Sequence, residues 1–413
     1  MSGNVMIPVE QALARITTAL TPVANERVSL IEAAGRVLAT APVAGLDHPA
    51  ADISAMDGYA VRHEDIDNTT ATLPPLQCIG EVPAGVHNPN AIACGQCMRI
   101  FTGGVIPTGA DTVIIQENTR AQGDQITHQG EAVRGQFIRR AAMDFATGDT
   151  PLRAGRRLTA RDIALAAAMD CPQLRVFARP RVSILATGNE LRQAGTAHKA
   201  PHKIPSANGP GLAAFIHQAG GIPRLLDIVP DTQTATQQAL DQATREADLV
   251  VTSGGASKGD YDYLHTCLAP TEFWGVAMRP GKPSMFAYYK DVPVIALPGN
   301  PVSVLVTAQV LLAPALAKLA GEDAPPAEPL IARAGSALAE GGQRQTYLRA
   351  TLAWEKGQPI ATPVANQDSA ALADLAKADA LIIRPIDAPA LATGTKVPIL
   401  PLWGSSCFNF IHT

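Results

Sequence analysis

The sequence predicts a multidomain protein built around an α/β domain with a mostly parallel sheet, flanked by a β-rich N-terminal lobe and a small C-terminal β-barrel domain. Three observations predict this fold class. The chain has 413 residues, enough for about two to four domains. After residue 181, short apolar runs alternate with helix-length stretches, which is the pattern of βαβ crossovers. On either side of that region, short apolar runs are punctuated by glycine, proline and asparagine, as in β structure.

The N-terminal part combines helices with a β-rich segment. Residues 8–20 place apolar side chains at helical spacing, and residues 159–170 predict a second helix with Thr159 at its N-cap. Between these helices, the runs 98–101 and 112–115 predict strands. We therefore divide this region into an N-terminal linking domain, residues 8–46 and 143–176, and a β-rich lobe, residues 47–142.

The central domain, residues 177–323, has the most regular pattern. Its apolar runs are typical of strands buried on both faces of a parallel sheet. The helix-length stretches between them predict crossover helices on both faces. The predicted strands are 182–186, 225–229, 249–252, 276–278 and 294–297, and the predicted helices are 210–219, 232–247, 260–268 and 301–319.

The C-terminal part begins with a proline-rich stretch at 324–329, which predicts a linker. The strand-like sequence pattern that follows predicts a small barrel over residues 330–405, with strands at 346–354, 381–385 and 396–400. The longest apolar stretch, 292–320, precedes the linker and is interrupted by prolines and Asn300. We therefore interpret it as a buried strand and helix, not a membrane span.

Composition and charge exclude several classes of function. The chain has 33 basic and 37 acidic residues and a formal net charge of -4, which argues against nucleic-acid and anionic-membrane partners. Its six cysteines are too sparse for a disulfide framework, and the start of the chain lacks a secretory signal. We predict a cytoplasmic protein. The Cys94-x-x-Cys97 pair has no second pair near it, so we do not expect zinc.

The informative residues follow the predicted strands. In an open parallel sheet, ligands bind beyond the carboxyl ends of the strands. The loops at that edge are 187–190, 230–231, 253–262, 279–283 and 298–303. If the predicted topology holds, all five loops share one rim.

Two kinds of chemistry meet on this rim. Glu190, Asp231, Asp260 and Asp262 are hard oxygen donors, the ligands that Mg²⁺ prefers. Gly-rich turns and helix N-termini bind phosphate through backbone N–H groups. The rim supplies such donors and positive charge at Ser253, Gly254, Gly255, Ser257, Ser303, Arg279 and Lys282. Together they predict a phosphorylated ligand handled with Mg²⁺, at a site without the common nucleotide-binding motifs.

Each of these residues also has a purely structural interpretation. Asp231 precedes a helical run and is typical of an N-cap, and Glu190 alone fits a solvated loop charge. Pro301 suits a first helical turn, and the turn at 253–255 fits glycines chosen for positive φ. Asp57 and the glycine after it are most typical of a hairpin turn.

Six motifs occur in a distinctive order and spacing. They are SAMDGYAVR (54–62), FTGGVIPTGADTVI (101–114), ATGNEL (186–191), SGGASKGDYD (253–262), MRPGKP (278–283) and LPGNPVS (297–303). In this arrangement they resemble the molybdopterin molybdenumtransferase family, the bacterial relatives of the gephyrin E domain. The resemblance runs from about residue 8 to about residue 405.

The resemblance implies an enzyme of molybdenum cofactor biosynthesis that takes adenylylated molybdopterin and molybdate, uses Mg²⁺ and releases AMP. It implies an elongated homodimer, with molybdopterin adenylyltransferase and downstream molybdoenzyme-maturation proteins as partners. Matching motif positions give the candidate catalytic residues Asp57, Thr102, Asp144, Glu190, Asp231 and Asp262, with Glu190 and Asp231 as metal ligands. The candidate substrate-binding residues are Ser253, Gly254, Gly255, Arg279, Lys282, Pro283, Pro298, Pro301, Ser303, Arg344 and Ser369.

The chain departs from the family pattern at several positions. Asn189 stands where the family usually has Asp, so one charge near the metal is missing. Lys258 replaces a small apolar residue, Gly275 replaces Lys in some members, and Arg279 replaces the commoner Lys. Asp144 lacks the usual preceding Gly-Glu. Two other functions stay open as alternatives: nucleotide transfer of the molybdopterin adenylyltransferase type, and a non-catalytic pterin-binding scaffold.

Overall fold

The computed structural model describes residues 6–66, 74–86, 88–255, 263–323 and 329–402. The chain forms two compact units. The first comprises Met1–Thr40, Ala154–Thr159 and Arg175–Thr413, and the second comprises Ala41–Arg153 and Ala160–Leu174. The four domains proposed from the sequence are a finer division, and their boundaries stay a prediction.

The helices and strands of the described residues are numbered along the chain. The helices are α1 Val9–Ala19, α2 Leu30–Ala33, α3 Ala160–Ala168, α4 Asn208–Gln218, α5 Gln233–Ala243, α6 Tyr263–Cys267, α7 Pro301–Thr307, α8 Ala313–Leu319 and α9 Leu372–Ala376. The first ten strands are β1 Asn25–Ser29, β2 Ile53–Ser54, β3 Gly58–Val61, β4 Leu76–Val82, β5 Gln96–Ile100, β6 Thr112–Ile115, β7 Thr119–Gln122, β8 Gln125–His128, β9 Ile138–Arg139 and β10 Gln173–Phe177. The next nine are β11 Arg181–Ala186, β12 Leu191–Arg192, β13 Ile204–Pro205, β14 Ile222–Leu225, β15 Leu249–Ser253, β16 Thr271–Trp274, β17 Met278–Arg279, β18 Met285–Tyr289 and β19 Val292–Leu297. The last five are β20 Leu330–Ala334, β21 Gln345–Glu355, β22 Gln358–Pro363, β23 Ala380–Arg384 and β24 Lys396–Pro401.

The central sheet has six strands in the order β14-β11-β15-β19-β18-β16. The pairs β14–β11, β11–β15 and β15–β19 are parallel, whereas β18 pairs antiparallel with β19 and with β16. Consecutive residues of β11 and β15 are buried because helices cover both faces of the sheet. The α/β prediction is confirmed, although the antiparallel strands at one edge make the sheet mixed.

Two predicted strands of the central domain are wrong in detail. The run 225–229 is not a continuous strand, because β14 ends at Leu225. Beyond it, Leu226 donates one backbone bond to Ile184, and Val229 forms an isolated parallel bridge with Thr187. The run 276–278 does not join the central sheet. Its end forms β17, which pairs in parallel with β21 of the C-terminal sheet. Apolar sequence predicted the burial of both runs, but it does not reveal which strand lies next to them.

The long apolar helix lies in the core of the first unit. α7 and α8 are joined by one π-helical turn over Ala308–Leu312 and run continuously from Pro301 to Leu319. By length and composition the helix could cross a membrane, but 78% of its apolar window is buried inside the protein. α1 packs against it through Ala12 and Ile16, which are fully buried. The stretch is thus a core helix, as its prolines predicted.

The C-terminal strands form a closed barrel. β21, β22, β20, β24 and β23 pair in that order, and a β21–β23 ladder closes the ring. Ala350, Ala361 and Ile382 are fully buried in its core. Closure removes the unpaired edges of the sheet, and the predicted small barrel is confirmed.

The second unit contains the predicted β-rich lobe, a six-stranded sheet in the order β6-β3-β5-β4-β8-β7. The hairpin interpretation of Asp57 is wrong, because β2 pairs with β9 while β3 pairs with β5 and β6. Gly58 is there for close packing, since a Cβ at this position would lie 1.9 Å from the Ile114 carbonyl oxygen.

Candidate active site

A cavity of about 400 Å³ opens at the carboxyl ends of β11, β15 and β19. We call it the rim cavity. It brings together six of the candidate residues: Glu190, Asp231, Ser253, Gly254, Gly255 and Pro301. The rest of its lining is Thr187, Gly188, Leu191, Ile204, Pro205, Ser206, Ala207, Asn208, Gly299 and Asn300. The loops after three separate strands therefore meet at one concave surface, where open α/β sheets bind ligands.

Asp231 is held by a reciprocal contact with Asn189. The Asn189 backbone N–H donates to Asp231 Oδ2 at 2.8 Å, and the Asp231 backbone N–H donates to Asn189 Oδ1 at 3.2 Å. The N-cap interpretation of Asp231 is wrong, because Thr232 caps α5 by accepting a bond from the Ala235 backbone N–H. Asp231 Oδ1 has no hydrogen-bond partner among the described residues, so this oxygen is available to a ligand.

Glu190 folds back over Gly188. A Cβ on Gly188 would lie 2.6 and 2.7 Å from the two carboxylate oxygens of Glu190. Gly188 also has a φ of +150°, which side-chain-bearing residues rarely adopt. The carboxylate can occupy this position only because residue 188 has no side chain.

The two carboxylates fit a magnesium ion shared with a phosphorylated ligand. Mg²⁺ is commonly held by one or two carboxylates together with water and substrate phosphate oxygens. No group of three or more His, Cys, Asp or Glu side chains suited to a metal occurs within the described ranges. Glu190 and Asp231 in the rim cavity are oxygen donors of the kind that Mg²⁺ prefers.

The turn after β15 lines the rim cavity with Ser253, Gly254 and Gly255, and the Gly254 N–H donates to the Leu297 carbonyl oxygen. Gly254 and Gly255 have φ values of +88° and +72°, as predicted for glycines selected by a tight turn. Sequence reasoning missed the role of Asn208, whose Nδ2 donates to Ser253 Oγ and to the Gly299 carbonyl oxygen, both at 2.7 Å. Asn208 thereby ties the loop after β15 to the loop after β19. An asparagine at the start of a predicted helix was the available signal.

Ser369 of the C-terminal region contacts Asn300 of the rim-cavity lining. Asn300 Nδ2 donates to Ser369 Oγ at 2.9 Å, and the Val302 backbone N–H donates to the Ser369 carbonyl oxygen at 3.1 Å. Pro301 is the first residue of α7, and Ser303 is buried within the first turn of this helix. Pro298 directly follows β19 and is not part of the cavity lining.

Arg349 holds the loop that carries Ser369, a role that sequence reasoning missed. Its side chain is almost fully buried, and its Nη1 and Nη2 donate to the carbonyl oxygens of Asp368 and Asn366 at 2.9 and 3.0 Å. Burial lowers the pKa of the Arg349 guanidinium. The available signal was one arginine within an otherwise apolar stretch of β21.

The candidate cationic residues lie outside the cavity lining, Arg279 and Lys282 on one segment and Arg344 on another. β17 places Arg279 opposite Thr346, whose Oγ1 donates to the Arg344 carbonyl oxygen at 3.1 Å. The Lys282 carbonyl oxygen accepts bonds from the backbone N–H groups of Val276 and Ser284. The β17–β21 pairing therefore places Arg279 close in register to Arg344, which directly precedes β21. The two bonds to the Lys282 carbonyl oxygen fix the backbone of the loop that also contains Pro283.

Three candidate residues belong to the second unit. Asp57 Oδ1 accepts bonds from the backbone N–H and the Oγ1 of Thr102 at 2.7 and 2.8 Å. The backbone N–H, then the hydroxyl, and to a smaller degree the charge of Arg99 lower the pKa of Asp57. Asp144 is exposed, and its backbone N–H donates to the His48 carbonyl oxygen. Asp262, the remaining candidate, lies outside the described residues.

Comparison with known proteins decides the family. Three family descriptions match the chain: "MoeA N-terminal region (domain I and II)" over residues 7–169, "Probable molybdopterin binding domain" over 183–318 and "MoeA C-terminal region (domain IV)" over 332–402. The molybdopterin molybdenumtransferase of Nostoc sp. is 38% identical over 389 residues, which cover 92% of this chain and 89% of that protein. The chain belongs to the molybdopterin molybdenumtransferase family.

Other members of the molybdopterin molybdenumtransferase family agree in sequence and fold. The molybdopterin molybdenumtransferase 2 of Mycobacterium tuberculosis is 33% identical over 404 residues, covering 95% of this chain and 98% of that protein. The crystal structure of the molybdopterin biosynthesis moeA protein from Pyrococcus horikoshii OT3 is 29% identical, with a TM-score of 0.84, and covers 96% of this chain and 100% of that one. The resemblance carried by the six motifs is confirmed.

Proposed function

We propose that the chain inserts molybdenum into molybdopterin during molybdenum cofactor biosynthesis. Its substrates are adenylylated molybdopterin and molybdate, its metal is Mg²⁺, and its products are the molybdenum cofactor and AMP. The observation that carries the proposal is the meeting of Glu190 and Asp231 with the glycine turn after β15 in one cavity. This arrangement lies in a chain whose relatives are named molybdopterin molybdenumtransferases.

The reaction exchanges bonds at phosphorus and at molybdenum. A water or a molybdate oxygen attacks the phosphorus of the pterin phosphate, its P–O bond to the AMP phosphate breaks, and AMP leaves. Where molybdate attacks, the Mo–O bond of the resulting Mo–O–P bridge breaks as a dithiolene sulfur binds molybdenum, and the oxygen stays on the pterin phosphate. The two dithiolene sulfurs of the pterin replace molybdate oxygens, which leave as water after taking up protons. Molybdenum keeps its oxidation state, so the step needs neither an oxidant nor a reductant.

The carboxylates of the rim cavity, Glu190 and Asp231, would hold the metal. Asp231 offers Oδ1, while Asn189 occupies Oδ2 and keeps the carboxylate oriented. Glu190 offers its carboxylate from the position above Gly188. A bound Mg²⁺ supplies positive charge that offsets the phosphate oxygens and the charge that develops on the departing AMP.

Positive side chains would hold molybdate beside this link. Molybdate is a dianion, so its approach to a phosphate ester requires compensating charge. Arg279 and Lys282 lie on one loop, and Arg344 lies near Arg279 through the β17–β21 pairing. Arg279 prefers planar, bidentate contacts with oxyanions. Ser369 adds a hydroxyl group next to Asn300 of the cavity lining.

The same proposal includes the assembly and location of the protein. We propose a cytoplasmic homodimer that receives its substrate from molybdopterin adenylyltransferase and passes its product to molybdoenzyme-maturation proteins. The support is the resemblance to the family together with the sparse cysteines. Sedimentation of the purified protein is expected to give twice the mass of 43.1 kDa, and a monomer at micromolar concentration would contradict the dimer.

The decisive assay measures AMP release from adenylylated molybdopterin. We expect release that requires Mg²⁺ and rises on addition of molybdate, with molybdenum appearing in the pterin product. Consumption of ATP with molybdopterin would instead favour nucleotide transfer of the adenylyltransferase type. Tight pterin binding without any AMP release would favour a non-catalytic scaffold.

A further inference from the structure

The sheet of the second unit holds two adjacent thiols. Cys78 of β4 and Cys97 of β5 are register partners in a parallel pairing. Neighbouring strands of a sheet lie about 4.8 Å apart, and a disulfide needs a Cα–Cα distance of about 4.4–6.8 Å. Cys78 packs against the apolar cluster that contains Cys97, Leu76 and Ile126. The two thiols therefore lie side by side on one face of the sheet.

The two thiols differ in their exposure. Cys78 is half-buried, and its thiol donates to the Gly80 carbonyl oxygen at 3.5 Å. Cys97 is fully buried. Burial, and to a smaller degree the neighbouring Cys78 thiol, raises the pKa of Cys97 to about 12. Because the thiolate is the reactive form of cysteine, Cys78 is the member of the pair that reacts first with a dissolved oxidant.

Cys94 is closer to Cys97 in sequence, but its thiol is engaged by another residue. Cys94 is exposed and donates to Asp65 Oδ1 at 3.3 Å. The hydrogen bond to Asp65, followed by the negative charge of that carboxylate, raises the pKa of Cys94. The raised pKa disfavours the Cys94 thiolate. All cysteines within the described ranges are free thiols, so the Cys78–Cys97 pair is present in its reduced form.

We propose that Cys78 and Cys97 form a modification site at which hydrogen peroxide produces a reversible disulfide. The Cys78 thiolate attacks one peroxide oxygen, the O–O bond breaks, and Cys78 becomes a sulfenic acid while one water leaves. The Cys97 sulfur then attacks the Cys78 sulfur, and the S–O bond breaks. The hydroxyl group leaves as a second water with the proton of Cys97. Two thiols and one hydrogen peroxide thus give one disulfide and two waters.

The buried partner thiol makes the modification reversible. A sulfenic acid that meets no thiol is oxidised further to sulfinic acid, which is irreversible in most proteins. Cys97 lies beside Cys78 and converts the sulfenic acid to a disulfide before that step. The disulfide joins β4 to β5, the strand that leads to Thr102 and its contact with Asp57. Neither thiol lines the rim cavity, so the inference does not rest on the proposed function.

Peptide mapping of the oxidised full-length protein by mass spectrometry tests the proposal. The purified protein is treated with hydrogen peroxide, its remaining thiols are alkylated, and the chain is cleaved after glutamate residues. Glu81 lies between the two cysteines in the sequence, so Cys78 and Cys97 fall on separate peptides. We expect these two peptides to stay joined by a bond that dithiothreitol breaks.

Cys94→Ser is the matched control, because Cys94 and Cys97 lie on the same peptide after cleavage at glutamate. The joined peptides are expected at the wild-type yield in Cys94→Ser. They are expected to be absent in Cys78→Ser and in Cys97→Ser. Cys97→Ser should also accumulate a sulfenic acid at Cys78, which dimedone labels, because the thiol that removes it is missing.

Three results would overturn the proposal. Joined peptides that disappear in Cys94→Ser would show that Cys94, and not Cys97, is the partner of Cys78. Oxidation of Cys78 to sulfinic acid in the wild type, without joined peptides, would show that Cys97 does not reach it. Full alkylation of both thiols after peroxide treatment would show that the pair does not react. The map of the wild type and Cys94→Ser decides the matter even if Cys97→Ser fails to fold.

Discussion

The backbone N–H groups of Asn189 and Asp231 each donate to the side chain of the other residue, at 2.8 and 3.2 Å. The contact joins the loop after β11 to the segment before α5, although the two residues lie 42 positions apart. An aspartate at position 189 could accept the same bond from the Asp231 N–H. The asparagine therefore preserves the contact while leaving one negative charge out of the site.

Replacing Asn189 tests how this contact controls metal affinity. Asn189→Asp keeps an acceptor for the Asp231 N–H and adds a carboxylate, so we expect Mn²⁺, used as a paramagnetic substitute for Mg²⁺, to bind roughly tenfold more tightly. Asn189→Ala removes the acceptor and is expected to weaken Mn²⁺ binding. Electron paramagnetic resonance of free Mn²⁺ measures both affinities. Equal affinities in all three proteins would show that this contact does not organise a metal site.

Gly281 is the most constrained residue of the Arg279–Lys282 loop. Its φ is +119°, and a Cβ there would lie 2.6 Å from Thr307 Oγ1 and 2.9 Å from Met278 Sδ. Gly281→Ala is expected to lower the free energy of unfolding by about 1–3 kcal/mol. Because the loop must shift, the variant should also need more molybdate for half-maximal AMP release.

Gly342→Ala is the control for Gly281→Ala. A Cβ on Gly342 meets no heavy atom of the described residues within 4 Å, and its φ is not in the left-handed region. The change is expected to alter unfolding by less than about 0.5 kcal/mol, as for other unconstrained surface positions. Denaturant unfolding measures both variants, and equal stability of the two would contradict the packing of Gly281 against Thr307.

Arg349 is predicted to matter for molybdate as well as for stability. Arg349→Met leaves the carbonyl oxygens of Asp368 and Asn366 without their donors, so we expect a loss of about 2–4 kcal/mol in the free energy of unfolding. The loop that presents Ser369 to Asn300 is then free to move. Half-maximal AMP release should therefore require more molybdate.

Arg384→Met separates these two effects. Arg384 is also buried in the barrel and donates to the carbonyl oxygens of Ala339 and Pro389. Its replacement is expected to cost similar stability without changing the molybdate requirement, measured under conditions where both variants are folded. The same molybdate dependence in Arg349→Met and Arg384→Met would mean that Arg349 has only a structural role.

The pH dependence of Asp57 follows from its contact with Thr102. The lowered pKa keeps the Asp57 carboxyl ionised to lower pH, so its stabilising contact is present above the unfolded-state pKa and is lost as the pH falls through the folded-state value. Thr102→Ala removes the hydroxyl but keeps the backbone N–H, which is the larger cause. We expect the pKa of Asp57 to rise while staying below its ordinary value.

Carboxyl NMR titration of Asp57 measures this shift directly. Thr102→Ser is the control, because it keeps both donors and should leave the pKa of Asp57 unchanged. If Asp57 acts as an ionised group in catalysis, the acid limb of kcat/KM moves to higher pH in Thr102→Ala. An Asp57 titration that is the same in wild type and Thr102→Ala would contradict the role of the hydroxyl.

Much of the central domain was predictable because burial on both faces leaves a strong sequence pattern. β11, β15 and β19 lie on predicted apolar runs, and 301–319 is the predicted helix. The pairing partners were not predictable in the same way. Met278 of β17 is as apolar as the residues of a central strand, yet β17 pairs with β21 of the barrel. Hydrophobicity predicts that a residue is buried but does not specify which strand lies beside it.

The predictable part of the site was the set of residues that follow strands. Glu190, Asp231 and the turn at 253–255 meet in the rim cavity because parallel strands bring their carboxyl ends to one edge. The contacts that orient them were hidden, because Asn189 and Asn208 act through single side-chain bonds to distant backbone groups. Such bonds leave no periodic pattern in the sequence.

The most direct test of the central claim compares AMP release by wild type and Asp231→Asn. The claim is that the carboxylates of the rim cavity enable molybdate-dependent cleavage of adenylylated molybdopterin. Asparagine can still accept the bond from the Asn189 N–H, so we expect an unchanged unfolding transition and loss of Mg²⁺-dependent AMP release by at least about a hundredfold. Release at the wild-type rate by the folded variant would contradict the account.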